Sequence, residues 1–139
     1  MADFATIRNA IKANLDTIAE LEFVSDFHDG NITGYPAATF DVSLADSEFL
    51  TNKENIRTIT YEIVLMQEIE TLGLAEAKDL LDNLAIKVID KFETDFNLGG
   101  EVDWCRPLVG PRGQFESESG QVFFQTLSLE CKFTKLVIT

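Results

Sequence analysis

The sequence holds one histidine, His28, and two cysteines, Cys105 and Cys131, in 139 residues. That scarcity removes most metal and nucleophilic chemistry. Zinc sites draw on several His and Cys ligands at short spacing, and no such spacing is present. His28-Asp29-Gly30 resembles a fragment of a metal-dependent hydrolase site, but the further histidines are missing, so it reads as a surface turn. No stretch approaches the ~18–20 apolar residues that cross a bilayer, and the start, MADFATIRNAIKANLD, lacks the apolar block of a signal peptide. The expectation is a protein made and kept in a cytoplasm, with reduced thiols and no membrane contact. Bases are also few: 11 Lys and Arg against 24 Asp and Glu give a net charge of −13. Such a surface repels phosphates, which disfavours nucleic-acid readout and docking on anionic lipid. It suits either plain solubility or a lining along which DNA slides without sticking.

What is present is a globular composition, 45% hydrophobic and 25% charged, with eleven Phe. At this length one domain, residues 1–139, buries roughly 65–70% of its unfolded surface, enough for a single core. Phe4, Ile7, Ile11, Leu15 and Ile18 recur every three or four residues and predict a helix over 3–18, with Asp3 as N-cap. Phe23, Val24 and Phe27 predict a short strand or arm ending at the turn-rich 28–31. Ala38, Phe40, Val42 and Leu44 alternate with polar neighbours, as do Ile59, Tyr61, Ile63 and Leu65 within 56–69. Both are half-buried strands of a sheet covered on one side.

Leu74, Ala77, Leu81, Leu84, Val88, Phe92 and Phe96 predict a second helix of about six turns, closed by Gly99-Gly100. Residues 102–109 and 122–133 read as two strands joined by a long, Gly- and Pro-rich tip, 110–120, with Phe123, Leu127, Leu129, Cys131 and Phe133 on one face. Cys105 and Cys131 are equally distant from residue 118 and are expected to face each other across that hairpin. The fold expected is α+β: a mostly antiparallel sheet of four to five strands with two helices on one face.

The remaining motifs are bland. Both cysteines fall in strands and read as core thiols rather than nucleophiles. Glu62, Glu68, Glu70 and Glu76 form an acidic run that suits a two-metal nuclease only if it converges; a solvated face is the commoner arrangement. Gly110-Pro111-Arg112-Gly113 lacks the Lys-Ser/Thr of a phosphate loop. The aromatics Tyr61, Trp104, Phe123 and Phe124 read as packing rather than base stacking. No catalytic group, cofactor site or metal site is assigned, and enzymatic activity is not expected. Two loops are less ordinary. Residues 45–55 hold Phe49 and Leu50 in polar surroundings, and 110–120 hold Phe115 with Arg112 nearby. Either these four residues form an oligomer or partner interface, or the apolar ones fold back on their own domain.

Taken in order, the amphipathic helix Ile7 to Ile18, the Tyr35-Pro36-Ala37-Ala38 approach to a strand, and the polar loop before Thr58-Ile59-Thr60-Tyr61-Glu62-Ile63-Val64-Leu65 form a pattern. The helix Ala75 to Phe96 and the hairpin ending Thr126-Leu127-Ser128-Leu129-Glu130-Cys131-Lys132-Phe133 complete it. Over nearly its full length the chain resembles the tail terminators of long-tailed phages, the family of the lambda tail terminator and related tail-completion proteins. The likeness is one of pattern, without a diagnostic motif. It implies a virion protein, assembled in the host cytoplasm, that closes into a ring, expected to be a hexamer, on the tail tube protein. The ring ends tube polymerisation and presents a surface to the head-tail connector protein, while DNA passes through without specific binding. A connector or other minor tail protein is the neighbouring alternative. An acidic DNA-mimic inhibitor and a metal-dependent nuclease are the alternatives of other classes.

Overall fold

The computed structural model describes residues 4–28, 31–49, 54–117 and 120–136. Asp3, Leu50 and the Asp29-Gly30 turn lie outside the described residues. Helix α1 runs Phe4–Asp16 and helix α2 Leu74–Thr94. Strands β1 Phe23–Ser25, β2 Ala37–Phe49, β3 Glu54–Glu68, β4 Trp104–Ser117 and β5 Gly120–Leu136 form one sheet in the order β1-β2-β3-β5-β4. Every strand pair is antiparallel except β1 with β2. This is an α+β fold, with both helices on one face of the sheet.

The periodicities explain the layers. Ile7, Ile11 and Leu15 are fully buried on α1, and Ala77, Leu81, Leu84, Val88 and Phe92 on α2. They meet the alternate positions Ile59, Tyr61, Ile63 and Leu65 of β3 and Phe123, Leu127, Leu129, Cys131 and Phe133 of β5 in one cluster. Phe40 and Tyr61 add an edge-to-face contact at 6.0 Å, the geometry that ring quadrupoles favour. Both helix ends are tied down by side chains. Lys12 and Asp16 pair at 3.0 Å one turn apart; beyond α2, Asp95 accepts the Gly99 amide at 3.0 Å and the Asn14 side-chain amide at 2.9 Å, joining the two helix ends.

The opposite face has a much smaller buried cluster, Ala37, Met66 and Val122, over which Phe23, Ile32 and Tyr35 fold. His28 pins the same covering segment: Nδ1 lies 3.0 Å from the Thr39 hydroxyl and Nε2 lies 3.4 Å from Glu62.

Three expectations are corrected. The 110–120 segment is not a long tip. It belongs to β4, which continues to Ser117 and passes Gly110 and Pro111 as a bulge between Val109 and Arg112. The bulge is held from β5, where the Gln125 side chain donates to the Gly110 carbonyl at 2.9 Å and the Thr126 hydroxyl to the Pro111 carbonyl at 2.6 Å. A Cβ on Gly110 would lie 2.6 Å from that hydroxyl, so only glycine fits the approach. β4 and β5 stay paired as far as Ser117 opposite Gly120, which has φ +116. Secondly, within 45–55 the described residues 45–49 and 54–55 belong to β2 and β3, with Phe49 paired to Asn55. Thirdly, α2 stops at Thr94; Phe96 lies beyond it, 53% exposed, and Leu74 at the other end is 37% exposed, so neither belongs to the buried stripe.

Candidate functional site

Of the four candidate interface residues, the three that are described, Phe49, Arg112 and Phe115, are not brought to one place. Phe49 ends β2 opposite Asn55, which is opposite Lys135 of β5. Phe115 lies opposite Val122, which is opposite Glu68 of β3. The two therefore sit at opposite ends of the sheet, separated along β5 by roughly 40 Å at about 3.3 Å per residue. They also occupy different strands on the two sides of the sheet, β4 at one edge and β2, paired with the short β1 only over Ala37–Thr39, towards the other. Leu50 lies outside the described residues.

Phe115 is 38% exposed and leans on Phe124, ring centres 6.0 Å apart. With Val64, Pro111, Thr126 and Glu62 these two rings line a shallow apolar depression on the face away from the helices. Arg112 lies on the other face. Its guanidinium pairs with Asp82 of α2 and sits 5.1 Å from the centre of the Phe123 ring. Its ionic partner is thus within its own chain.

The two cysteines are directly opposite each other in the β4–β5 register, as the hairpin arithmetic expects. Both are buried free thiols. The Cys105 sulfur faces the Phe92 carbonyl at 3.7 Å, and burial pushes its pKa from 9.0 up to about 12. Burial raises Cys131 as well, with the neighbouring Cys105 adding to it. Raised pKa values leave few thiolates near neutral pH, the reverse of what a nucleophile requires. Tyr61 is shifted upward chiefly by burial, and its hydroxyl has no hydrogen-bond partner among the described residues.

The acidic run is dispersed. Glu62 faces His28, Glu68 accepts the Thr71 hydroxyl, and Glu70 accepts the Gln121 amide at 3.3 Å. Glu76 begins α2. Among the described residues no three His, Cys, Asp or Glu side chains gather as metal ligands would. Among the described residues no helix is long and apolar enough to cross a membrane.

One feature escaped the sequence reading, the open edge of β2. β1 pairs with β2 only from Ala37 to Thr39. Beyond Thr39, among the described residues, no strand covers the side of β2 away from β3. The signal available in sequence was the shortness of the apolar stretch at 23–27 beside the long alternating one that starts at Ala37. No family model matches this chain, and no match to a curated protein is found.

Proposed function

We propose that the protein is a phage tail structural component that closes into a ring, expected to be a hexamer, on the end of the tail tube. There it ends tube polymerisation and offers a surface to the head-tail connector. The observation that carries the reading is the placement of Phe49 on β2 and Phe115 on the edge strand β4, on opposite sides and at opposite ends of the sheet. Two different patches on opposite sides are what a head-to-tail contact uses, and head-to-tail contacts with a closing rotation generate rings. A two-fold dimer needs only one self-complementary patch. The order of α1, β2, β3, α2 and the β4–β5 hairpin, on which the family resemblance rests, supports the same reading. A charge of −13 suits a passage for DNA that must not adhere.

The test replaces Phe49 and Leu50 together by Ser. The expected result is a monomer that melts within a few degrees of the parent, while tails assembled with it run to abnormal lengths. A variant that unfolds would place the pair in the core, and normal tail length would remove the pair from the interface.

A further inference from the structure

We propose that Cys105 and Cys131 form a redox modification site: in oxidising surroundings they join as a reversible cross-strand disulfide that fastens the edge strand β4 to the sheet. The inference does not rest on the tail reading and holds or fails apart from it.

The register meets the first requirement. Cys105 and Cys131 are direct partners in the antiparallel β4–β5 ladder, so both side chains leave the sheet on the same face, and both belong to the cluster under the helices. A slip of one residue would send the two sulfurs to opposite faces. The backbone meets the second requirement. The Cys105 amide donates to the Phe96 carbonyl at 2.6 Å, away from β5, so this pair exchanges no hydrogen bonds across the ladder. Such pairs bring their α-carbons to about 4.5 Å, inside the ~4.4–6.8 Å that a disulfide spans. Both thiols are free, and the chain has no third cysteine to compete for either.

The step needs an oxidant, and a small disulfide such as oxidised glutathione supplies it. The Cys105 thiolate attacks one sulfur of that disulfide, forming a mixed disulfide and releasing one small thiolate. The Cys131 thiolate then attacks the Cys105 sulfur and releases the second. Two electrons pass to the small disulfide, and the two protons given up by the cysteines end on the two small thiols.

Access sets the order and the pace. Both sulfurs are covered, and burial holds their protons, so neither reacts while the sheet is closed. Cys105 lies on β4, which pairs with β5 alone, whereas Cys131 is held between β4 and β3. Local opening of the edge exposes Cys105 first and leaves Cys131 as the resolving thiol. Closure is also felt at the end of α2. The Cys105 sulfhydryl faces the Phe92 carbonyl at 3.7 Å and the Asp95 carbonyl at 3.9 Å, and a disulfide has no proton to offer either.

The test incubates the intact, reduced protein with oxidised glutathione in the absence of denaturant, followed by mass spectrometry of the whole chain and of its proteolytic fragments. The expected product is a single chain lighter by two hydrogen atoms, with the fragments bearing Cys105 and Cys131 joined, and restored by dithiothreitol. Its melting temperature should exceed that of the reduced protein by roughly 5 °C or more, because the link restrains the unfolded hairpin. Cys131→Ala should stop at a glutathione adduct on Cys105, whereas Cys105→Ala should be labelled at Cys131 more slowly, on the order of tenfold. Thiols that stay reduced, an adduct that persists on the parent protein, a disulfide between two chains, or an oxidised form that melts below the reduced one would each overturn the proposal. So would equal labelling of the two variants when both remain folded. If either variant melts early, the linkage and melting temperature of the parent protein decide alone.

Discussion

The two faces of the sheet are built from the same strands and closed in different ways. On one face α1 and α2 lay continuous apolar stripes over every second residue of β3 and β5, and the cluster draws on the chain from Ile7 to Phe133. On the other, among the described residues, the buried apolar cluster is Ala37, Met66 and Val122, with Thr39 buried beside it; Phe23 of β1, Ile32 and Tyr35 pack against it, and Val64, Phe115 and Phe124 stay partly open. The difference shows that alternation within a strand decides which side chains face together, but the covering element decides what that face contributes. A helix brings an apolar residue every three or four positions to the same plane. An irregular segment must bring its own unpaired amides and carbonyls with it.

Truncation on each face is the strongest way to break this comparison. Leu129→Ala, at a fully buried position under the helices, is expected to cost about 2–5 kcal/mol. Phe124→Ala, half-buried on the open face, should cost about 1 kcal/mol, in keeping with partial burial. Denaturant midpoints of the two variants measure the contrast directly. Equal losses would mean that the open face is as closed as the helical one.

A second, smaller effect comes from the buried acids of the helical face. Cys105, Cys131 and Tyr61 are neutral when protonated, and burial raises all three, Cys105 from 9.0 to about 12. Above about pH 9 the unfolded chain releases thiol protons that the folded chain retains, so the unfolded state gains. The contribution is whole below pH 9 and is lost as the pH climbs towards 12. Melting temperature should therefore fall along an alkaline limb. Cys105→Ala with Cys131→Ala should melt lower at pH 7, through lost packing, yet show a shallower limb. An unchanged slope would mean that the thiols are not the groups concerned.

The smallest effect expected is at Arg112. Its pair with Asp82 is half exposed on both sides, and exposed pairs contribute about 0–1 kcal/mol. Arg112→Gln and Asp82→Asn should each lower stability by the same small amount, and the double variant should add little to either. If Arg112→Gln alone costs several kcal/mol, its contact with the Phe123 ring outweighs the ion pair.

How far the sequence disclosed all this depended on where local and tertiary signals agreed. The stripes Ile7 to Ile18 and Ala77 to Phe92 and the alternation of Ile59, Tyr61, Ile63 and Leu65 follow from single-element periods and are buried as expected, whereas Leu74 and Phe96, at the ends of the second stripe, are exposed. The cysteine pairing followed from hairpin arithmetic. The 110–120 segment misled because Gly110, Pro111 and Gly113 are turn residues by local chemistry. Here Gln125 and Thr126 of the neighbouring strand capture their carbonyls and keep the chain in the sheet. Residues 45–49 misled for a related reason. The register shift between Val42 and Leu44 sets Leu44 opposite Thr60 and Ala45 opposite Ile59, so a simple count of alternate residues loses the strand. The separation of Phe49 from Phe115 and the stretch of β2 that β1 leaves uncovered were invisible because they depend on strand order, which no local pattern encodes.

That strand order also sets a timetable. β2 with β3 and β4 with β5 are hairpins between chain neighbours, whereas the central pairing of β3 with β5 has to close a loop running from Glu68 through all of α2 to Val122. Closing loops costs entropy before any contact forms, so the two hairpins should arise first and their docking, with α2 folded across the join, should set the rate. In the interval before docking, the edges of β3 and β5 that later form the sheet centre are open. The nascent chain would then be most prone to pair with other chains through strands that the finished protein hides completely.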